Sequence, residues 1–143
     1  MEPIDLTKLK LENYPLNSYD KIRYCDTDRQ GHVNNALFSS FLETGRVELL
    51  YNPEKPLYST GGAFVIASST LNLLSEIRWP GKIYIGTGLT KVGNSSIKLV
   101  QGLYQNGKLC ATAETVIVQM DEVTRGSKPL SEETKEILKK LVV

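Results

Sequence analysis

The alternation of apolar and polar residues changes its period along the chain, and each period predicts a different element. Over residues 19–25 the alternation has a period of two. It places Ile22 and Tyr24 on one face and Lys21 and Arg23 on the other. Side chains of a strand point alternately to its two faces, so this segment is predicted to be a half-buried strand.

A helix is predicted over residues 36–51, where the period changes to three and four. Its apolar positions form one helical face, made of Leu37, Phe38, Phe41, Leu42, Gly45 and Leu49. Gly45 is unusual there, because glycine inside a helix costs about 1 kcal/mol relative to alanine. We therefore expect another stretch of backbone to pass close to Gly45.

The segment from residue 63 to residue 120 is predicted to consist of strands. Turn signals at Pro80-Gly81, Gly93-Asn94 and Asn106-Gly107 divide it into an antiparallel meander of four strands, at residues 63–74, 82–92, 96–105 and 109–120. Gly86 and Gly88 lie inside the second of these strands and are expected to mark bends or bulges. A short closing helix is predicted to begin near Ser131.

The order strand, long helix, four strands and short helix indicates an α+β fold. Because the long helix is apolar over most of its length, the sheet must wrap around it to form a core. The length of 143 residues favours a single domain spanning residues 1–143. Residues 1–16 form an irregular N-terminal extension in this interpretation, and residues 131–143 form the C-terminal helix.

Composition and charge exclude several classes of protein. The net charge is +1 and no dense basic stripe is present, so neither a nucleic-acid partner nor a membrane partner is expected. No apolar run approaches the roughly 20 residues that span a bilayer, and the N-terminus lacks the apolar middle of a signal peptide. Cys25 and Cys110 have no metal-binding spacing and are predicted to be reduced thiols in strands of a cytoplasmic protein.

The stretch DTDRQGHVNN, at residues 26–35, concentrates the candidate chemistry. It holds two acids, the only histidine of the chain, a glycine and two asparagines between a strand and a helix. Asp26, Asp28 and Gly31 fit a calcium loop, but the clamping glutamate at position 12 of such a loop is replaced by Leu37. One histidine and two distant cysteines do not form a zinc site either, so no metal or other cofactor is expected.

Two interpretations of this stretch remain open from the residues alone. In the structural one, Asp28 caps a turn, Gly31 supplies a positive φ, and Asn34 or Asn35 caps the helix. In the chemical one, the free N–H groups of the helix start stabilise a developing oxyanion. An upstream carboxylate then supplies a nucleophile or a base, which makes a minimal acyl-transfer site.

The run D-x-D-x-x-G-H-V-N-N, with Tyr24 before it and Phe38, Phe41, Leu42 and Glu43 after it, resembles the hotdog-fold acyl-CoA thioesterases. The subgroup it resembles is the 4-hydroxybenzoyl-CoA thioesterase-like one. The resemblance implies a curved antiparallel five-strand sheet around one long central helix. It also implies hydrolysis of a fatty or aromatic acyl-CoA to the free acid and CoA.

The same resemblance implies roles for individual residues. Asp28 is the expected catalytic residue, as nucleophile or as general base, and the backbone N–H near Asn35 is expected to polarise the thioester carbonyl. Asp26 is expected to order the loop. The predicted substrate-binding residues are Gly31, His32, Val33, Asn34, Lys91, Ser95 and Ser96.

The turn at residues 91–96 departs from the family pattern, because Lys91 is its only charged residue where the family can carry a basic cluster for the CoA phosphates. A thioesterase for acyl carrier protein therefore stays open. So do an enoyl-thioester hydratase, although its D-x-N-x-x-H pattern is missing, and a non-catalytic acyl-thioester-binding domain. A homodimer or a dimer of dimers is expected, because a sheet edge left open favours pairing with a second copy.

Overall fold

The computed structural model describes residues 3–143 and confirms the predicted α+β architecture. All five strands pair antiparallel in one sheet, which is packed against one long helix. The elements in chain order are β1 (Leu16–Ile22), α1 (Phe38–Leu50), β2 (Gly62–Leu73), β3 (Gly81–Val92), β4 (Ser96–Gln105), β5 (Lys108–Asp121) and α2 (Glu132–Lys139). No helix within residues 3–143 has the length and apolar character needed to cross a bilayer.

The sheet order is β1-β3-β4-β5-β2, so the predicted four-strand meander is wrong for β2. Only β3, β4 and β5 follow one another as a meander, and β2 pairs with β5 at one edge. The reason lies in residues 74–80, which we call the crossover segment. Its first N–H groups, at Leu74 and Ser75, donate to the Cys110 carbonyl at 2.9 and 3.1 Å. From there it passes over the end of the sheet to β3, instead of folding back as a hairpin.

The core lies between α1 and the concave face of the sheet. Phe38, Phe41 and Leu42 of α1 are buried as predicted, and the sheet residues packed with them include Ile83, Ile85 and Leu103. Each side chain of this kind stabilises the fold by about 1.5–3 kcal/mol when it is fully buried. At the C-terminal end of α1 the prediction is off by one position, since Leu50 is buried and Leu49 only partly so.

Gly45 lies where α1 presses on the sheet, and the crowding expected there is confirmed. A Cβ at this position would lie 2.7 Å from Thr87 Oγ1, 2.8 Å from Gln101 Nε2 and 2.9 Å from Ile85 Cγ2. The neighbours are therefore side chains of β3 and β4, and the expectation of a passing backbone was wrong. The close approach lets Gln101 Nε2 donate to the Leu42 carbonyl at 3.0 Å, which ties α1 to the sheet.

The N-terminal extension covers the outer face of the sheet. Gly86 and Gly88 were expected to mark bends or bulges, but the irregularity of β3 lies between Leu89 and Lys91 instead. A Cβ at Gly86 would overlap the ring of Tyr14, and one at Gly88 would overlap Val143 Cγ1 and crowd Pro15. Gly86 therefore leaves room for the extension to pack against the strand, and Gly88 leaves room for both the extension and the last residue of the chain.

The first strand ends earlier than predicted. β1 stops at Ile22, and Tyr24–Asp26 form a 3-10 turn because the Asp26 carboxylate accepts the N–H of Arg23 at 2.8 Å. The turn ends the alternation, so Tyr24 is exposed and does not share the buried face of Ile22. Cys25 is likewise exposed and outside any strand, contrary to the prediction. Both cysteines are free thiols, and Cys110 is buried in β5 as expected.

The C-terminal helix begins as predicted and ends sooner. Ser131 caps α2 by accepting the N–H of Thr134 at 3.1 Å. After Lys139 the chain is not helical to its end: the Leu89 N–H donates to the Leu141 carbonyl, and the Val143 N–H donates to the Leu89 carbonyl. The last residues thus add a short parallel bridge to β3.

Candidate active site

Residues 26–35, which we call the site loop, join β1 to α1 at the end of the sheet where β3 begins. The loop folds back on itself through two backbone hydrogen bonds. Asp28 N–H donates to the His32 carbonyl at 2.8 Å, and Gly31 N–H donates to the Asp28 carbonyl at 3.2 Å. Gly31 has the predicted positive φ, of 79°. The loop is therefore a tight turn that presents the Asp28 side chain outward.

Asp28 uses only one of its carboxylate oxygens to hold the loop. Its Oδ1 accepts the N–H of Gln30 at 2.8 Å and that of His32 at 3.3 Å. Its Oδ2 accepts no hydrogen bond from any residue in the described part of the chain, and the residue is exposed. One oxygen thus fixes the carboxylate, and the other is left to act on a bound molecule.

Asp26 has the opposite surroundings. Its side chain is buried, and both of its oxygens are engaged by Arg23: Oδ2 accepts the backbone N–H at 2.8 Å and Oδ1 accepts the guanidinium at 3.0 Å. Its carbonyl accepts the N–H of Asn34 at 2.9 Å. These contacts agree with the expectation that Asp26 orders the loop.

The helix start lies at the other end of the site loop. Asn34 is the capping residue, and its Oδ1 accepts the N–H of Ala36 at 3.0 Å. Asn35–Leu37 form a 3-10 turn that leads directly into α1. Within residues 3–143 the N–H of Asn35 has no hydrogen-bond acceptor, and this residue is exposed. An orphan donor at a helix start is suited to bind a developing negative charge.

The crossover segment supplies two charged residues that the sequence analysis missed, Glu76 and Arg78. His32 Nε2 lies 3.0 Å from Glu76 Oε2, and Arg78 Nε donates to Glu76 Oε1 at 2.8 Å. The hydrogen bond from Arg78, followed by the charges of Arg78 and His32, lowers the pKa of the Glu76 carboxyl. No motif marks these residues, because only the crossover brings them to a loop more than 40 positions earlier in the chain.

Backbone contacts join the same two segments. The N–H of Val33 donates to the Ile77 carbonyl at 2.7 Å, and both of these side chains are buried. Tyr24 and Trp79 stand beside this junction with their rings edge to face, 5.3 Å apart, and both are exposed. The junction therefore forms one wall of the site and carries an aromatic surface next to it.

The predicted residues for the CoA phosphates, Lys91, Ser95 and Ser96, do not lie near Asp28 in one chain. They occupy the opposite end of β3, which rises about 3.3 Å per residue, so its two ends are roughly 35 Å apart. Lys98, which the sequence analysis did not single out, lies directly across from Lys91 on β4. Both lysines and Ser96 line a pocket of about 280 Å³ on the sheet surface.

Two cavities lie along α1. One of about 150 Å³ lies between α1 and the edge strand β2, with Val47, Leu50, Phe64 and Ile66 among its apolar walls. Another of about 710 Å³ lies between the C-terminal half of α1, the start of β1 and α2, and includes no residue of the site loop. Across residues 3–143 no group of three or more histidine, cysteine or acidic side chains is placed to hold a metal ion.

A curved antiparallel five-strand sheet around one long helix, with a polar loop at the helix start, defines the hotdog class of acyl-thioester proteins. Residues 22–138 match the model of the thioesterase-like superfamily, and the chain belongs to this family. The protein is therefore a thioester hydrolase. Among curated proteins, no sequence matches this chain significantly.

Solved structures resemble the whole fold. A predicted thioesterase from Bacillus stearothermophilus is 25% identical with a TM-score of 0.80, and the match covers 89% of this chain and 96% of that one. A thioesterase from Thermus thermophilus, solved with coenzyme A and zinc, is 26% identical with a TM-score of 0.77. That match covers 91% of this chain and 96% of the other.

Proposed function

We propose that this protein hydrolyses acyl-CoA thioesters to a free acid and CoA. The observation that carries the proposal is that one short loop holds two groups without hydrogen-bond partners in the described residues. One is an oxygen of a carboxylate near the start of the loop, and the other is the backbone N–H at the start of the helix. Asp28 offers Oδ2, and Asn35 offers its backbone N–H. Acid and donor are the two groups that acyl transfer needs when no metal takes part.

The reaction divides between these two groups. The Asn35 N–H binds the carbonyl oxygen of the thioester and stabilises the negative charge that develops on it. Asp28 then acts in one of two ways. As a general base it takes a proton from water, the water oxygen bonds to the carbonyl carbon, and the C–S bond breaks. As a nucleophile it bonds to that carbon itself, the C–S bond breaks, and water later cleaves the resulting anhydride. CoA leaves as a thiolate, which takes the proton that Asp28 removed from water in the first scheme and a proton from solvent in the second.

Coenzyme A is the proposed carrier of the acyl group. The solved relative from Thermus thermophilus holds coenzyme A. In this chain Lys91 and Lys98 face each other on neighbouring strands, and like charges directly opposite are unfavourable unless an anion lies between them. Glu114 offsets Lys98 in part, at 3.7 Å. We assign this lysine pair and Ser96 to the phosphate groups of CoA.

A homodimer would bring the two halves of this site together. β2 is an edge strand of 12 residues, and most of its residues from Ile66 onward are exposed. A long open edge favours pairing with a second copy. If two copies pair their β2 strands antiparallel, a two-fold axis places the partner's Lys91 at the same end of the joined sheet as Asp28. The cavity beside Ile66 would then be closed by the partner and could hold the acyl chain.

We also propose that the protein works in the cytoplasm. Both cysteines carry free thiols, and the exposed Cys25 in particular suits a reducing compartment.

A thiol-release assay tests the activity. The purified protein is offered short, long and aromatic acyl-CoAs, and the same acyl groups on an acyl carrier protein. We expect CoA release from at least one acyl-CoA. Release from the carrier protein alone would transfer the proposal to that substrate, and no release from any member of the panel would contradict it. Crotonyl-CoA hydration, followed by the loss of its absorbance, tests the hydratase alternative in the same preparation.

A further inference from the structure

Three side chains form a row from the crossover segment to the site loop. The guanidinium of Arg78 holds one oxygen of the Glu76 carboxylate, and the other oxygen lies 3.0 Å from Nε2 of His32. The row reaches Asp28, because the backbone N–H of His32 donates to Asp28 Oδ1 at 3.3 Å. The expected catalytic carboxylate is therefore linked through His32 to a second carboxylate.

The position of this row is fixed by the backbone and not by the charges. Exposed ion pairs contribute about 0–1 kcal/mol, so Glu76 and Arg78 do not hold the segment by themselves. The buried Gln105 holds Arg78 with two hydrogen bonds, from the Arg78 N–H to Oε1 at 2.9 Å and from Nε2 to the Arg78 carbonyl at 2.7 Å. The neighbouring Ile77 is fully buried. The backbone around Glu76 is thus fixed, and its carboxylate faces His32.

A carboxylate at this place decides which ring nitrogen of His32 carries the proton. A carboxylate only accepts hydrogen bonds, so Nε2 must be the donor in the neutral ring as well as in the charged one. Nδ1 is then the nitrogen with a free lone pair in the neutral ring. No residue in the described range 3–143 donates to it, so it is available to a bound substrate or to water.

We propose that Glu76, held by Arg78, is a positioning residue for thioester hydrolysis: it fixes the imidazole of His32 with the proton on Nε2 and leaves Nδ1 as an acceptor, on the same residue whose backbone N–H binds Asp28 Oδ1. The part of the proposal that concerns hydrolysis rests on the function proposed above, whereas the part that concerns the imidazole does not.

The imidazole can be observed directly, because His32 is the only histidine in the chain. Long-range proton–nitrogen NMR spectra of untagged, nitrogen-15-labelled protein, recorded at a pH where the ring is neutral, report its tautomer. We expect the Nε2–H form in the native protein and a mixture of both forms in Glu76→Ala. Glu76→Gln has only one acceptor oxygen, which the donor-only Arg78 occupies, so its amide NH2 group would face Nε2 and should shift the ring toward the Nδ1–H form. An unchanged tautomer in Glu76→Ala would overturn the proposal.

Kinetics separate positioning from support of the fold. Removing a carboxylate that orients a metal-bound imidazole lowers metal affinity or activity on the order of 10- to 100-fold. We expect a similar decrease of kcat in Glu76→Ala, with KM within about twofold of the native value. Glu76→Gln should recover none of this decrease, because its NH2 group would face Nε2 and favour the other tautomer. The matched control is Glu133→Gln, which removes a different exposed ion pair, with Lys55 at 3.1 Å, and should leave both constants unchanged.

The outcomes are distinguishable from failure of the proposed function. A native protein inactive on every thioester contradicts that function, and the NMR measurement still decides whether Glu76 sets the tautomer. A Glu76→Ala variant with native kcat, or with a raised KM and an unchanged kcat, would overturn the positioning role in an active enzyme.

Discussion

Asp28 and Asp26 lie two positions apart, yet their surroundings divide their roles. The exposed Asp28 has one uncommitted oxygen, whereas both oxygens of the buried Asp26 are bound by Arg23. We predict that Asp28→Asn keeps the fold and the oligomer but lowers turnover on the order of 10²-fold or more, since a positioned acid–base group is lost. The check is kcat on the best acyl-CoA, with circular dichroism to confirm the fold. A variant within tenfold of native kcat would contradict the assignment.

The companion variant Asp26→Asn should lose stability and keep more of its activity than Asp28→Asn. An amide at this buried position accepts hydrogen bonds with its oxygen only, so its buried NH2 group faces a donor of Arg23 and is left unpaired. Leaving a buried polar group unsatisfied costs about 1–3 kcal/mol, and a domain of this size then melts roughly 2–12 °C lower. Thermal unfolding should show this decrease, while kcat falls less than in Asp28→Asn. If Asp26→Asn is the more damaging to kcat, the two roles must be exchanged.

The sequence predicts the site loop well, because its groups are close together in the chain and each has local geometry to satisfy. The turn at Gly31 and the cap at Asn34 follow from such rules, and the structure has both. Glu76 and Arg78 could not be found in this way, since no local pattern distinguishes a surface ion pair from one that faces a histidine. Only the path of the crossover segment places them beside His32.

At the scale of elements, periodicity located every strand and helix but not all of their pairings. Turn residues at Gly93-Asn94 and Asn106-Gly107 join neighbours in the sheet, because each loop is too short for another arrangement. The Pro80-Gly81 signal looks similar in sequence but follows a buried residue, Ile77, that anchors the chain over the sheet end. The position of β2 at the sheet edge therefore depends on the burial of a residue outside the strand, and the alternation of residues within β2 could not predict it.

The contact between α1 and the sheet gives a prediction at this scale. Alanine at position 45 gains about 1 kcal/mol of helix propensity, but its Cβ would overlap Thr87, Gln101 and Ile85 at less than 3.0 Å. Overpacking in a dense core costs about 1–3 kcal/mol, so we expect Gly45→Ala to melt at or below the native temperature. Thermal unfolding tests this.

Ser39→Ala is the matched control for that substitution. Ser39 lies in the same helix on its exposed side, so alanine there gains propensity without a clash. This control should melt at or slightly above the native temperature. A clear increase in melting temperature for Gly45→Ala would show that the helix and the sheet are less tightly packed than described.

At the scale of the whole molecule, the two predicted contacts to the substrate, at the reacting thioester and at the CoA phosphates, are too far apart to belong to one compact site in a single copy. Lys91 and Asp28 lie at opposite ends of β3, and in a single copy the cavity beside Ile66 has a volume of about 150 Å³. The spacing of residues in the sequence carries no information on this, because a second copy is not encoded by any local pattern. The open edge of β2 is the feature of the fold that points to it.

The last prediction therefore concerns the oligomer. Ile66 is 52% exposed on the edge strand, and Ile66→Lys would place a charge inside a β2–β2 interface, where burying it unpaired is costly. We expect the native protein to be at least a dimer by light scattering at micromolar concentration. The variant should shift toward the monomer and lose most of its turnover with it. Val123→Lys inserts the same charge at a residue 88% exposed in the turn after β5, and should leave both mass and activity unchanged. An Ile66→Lys monomer with full activity would show that one copy contains a complete site.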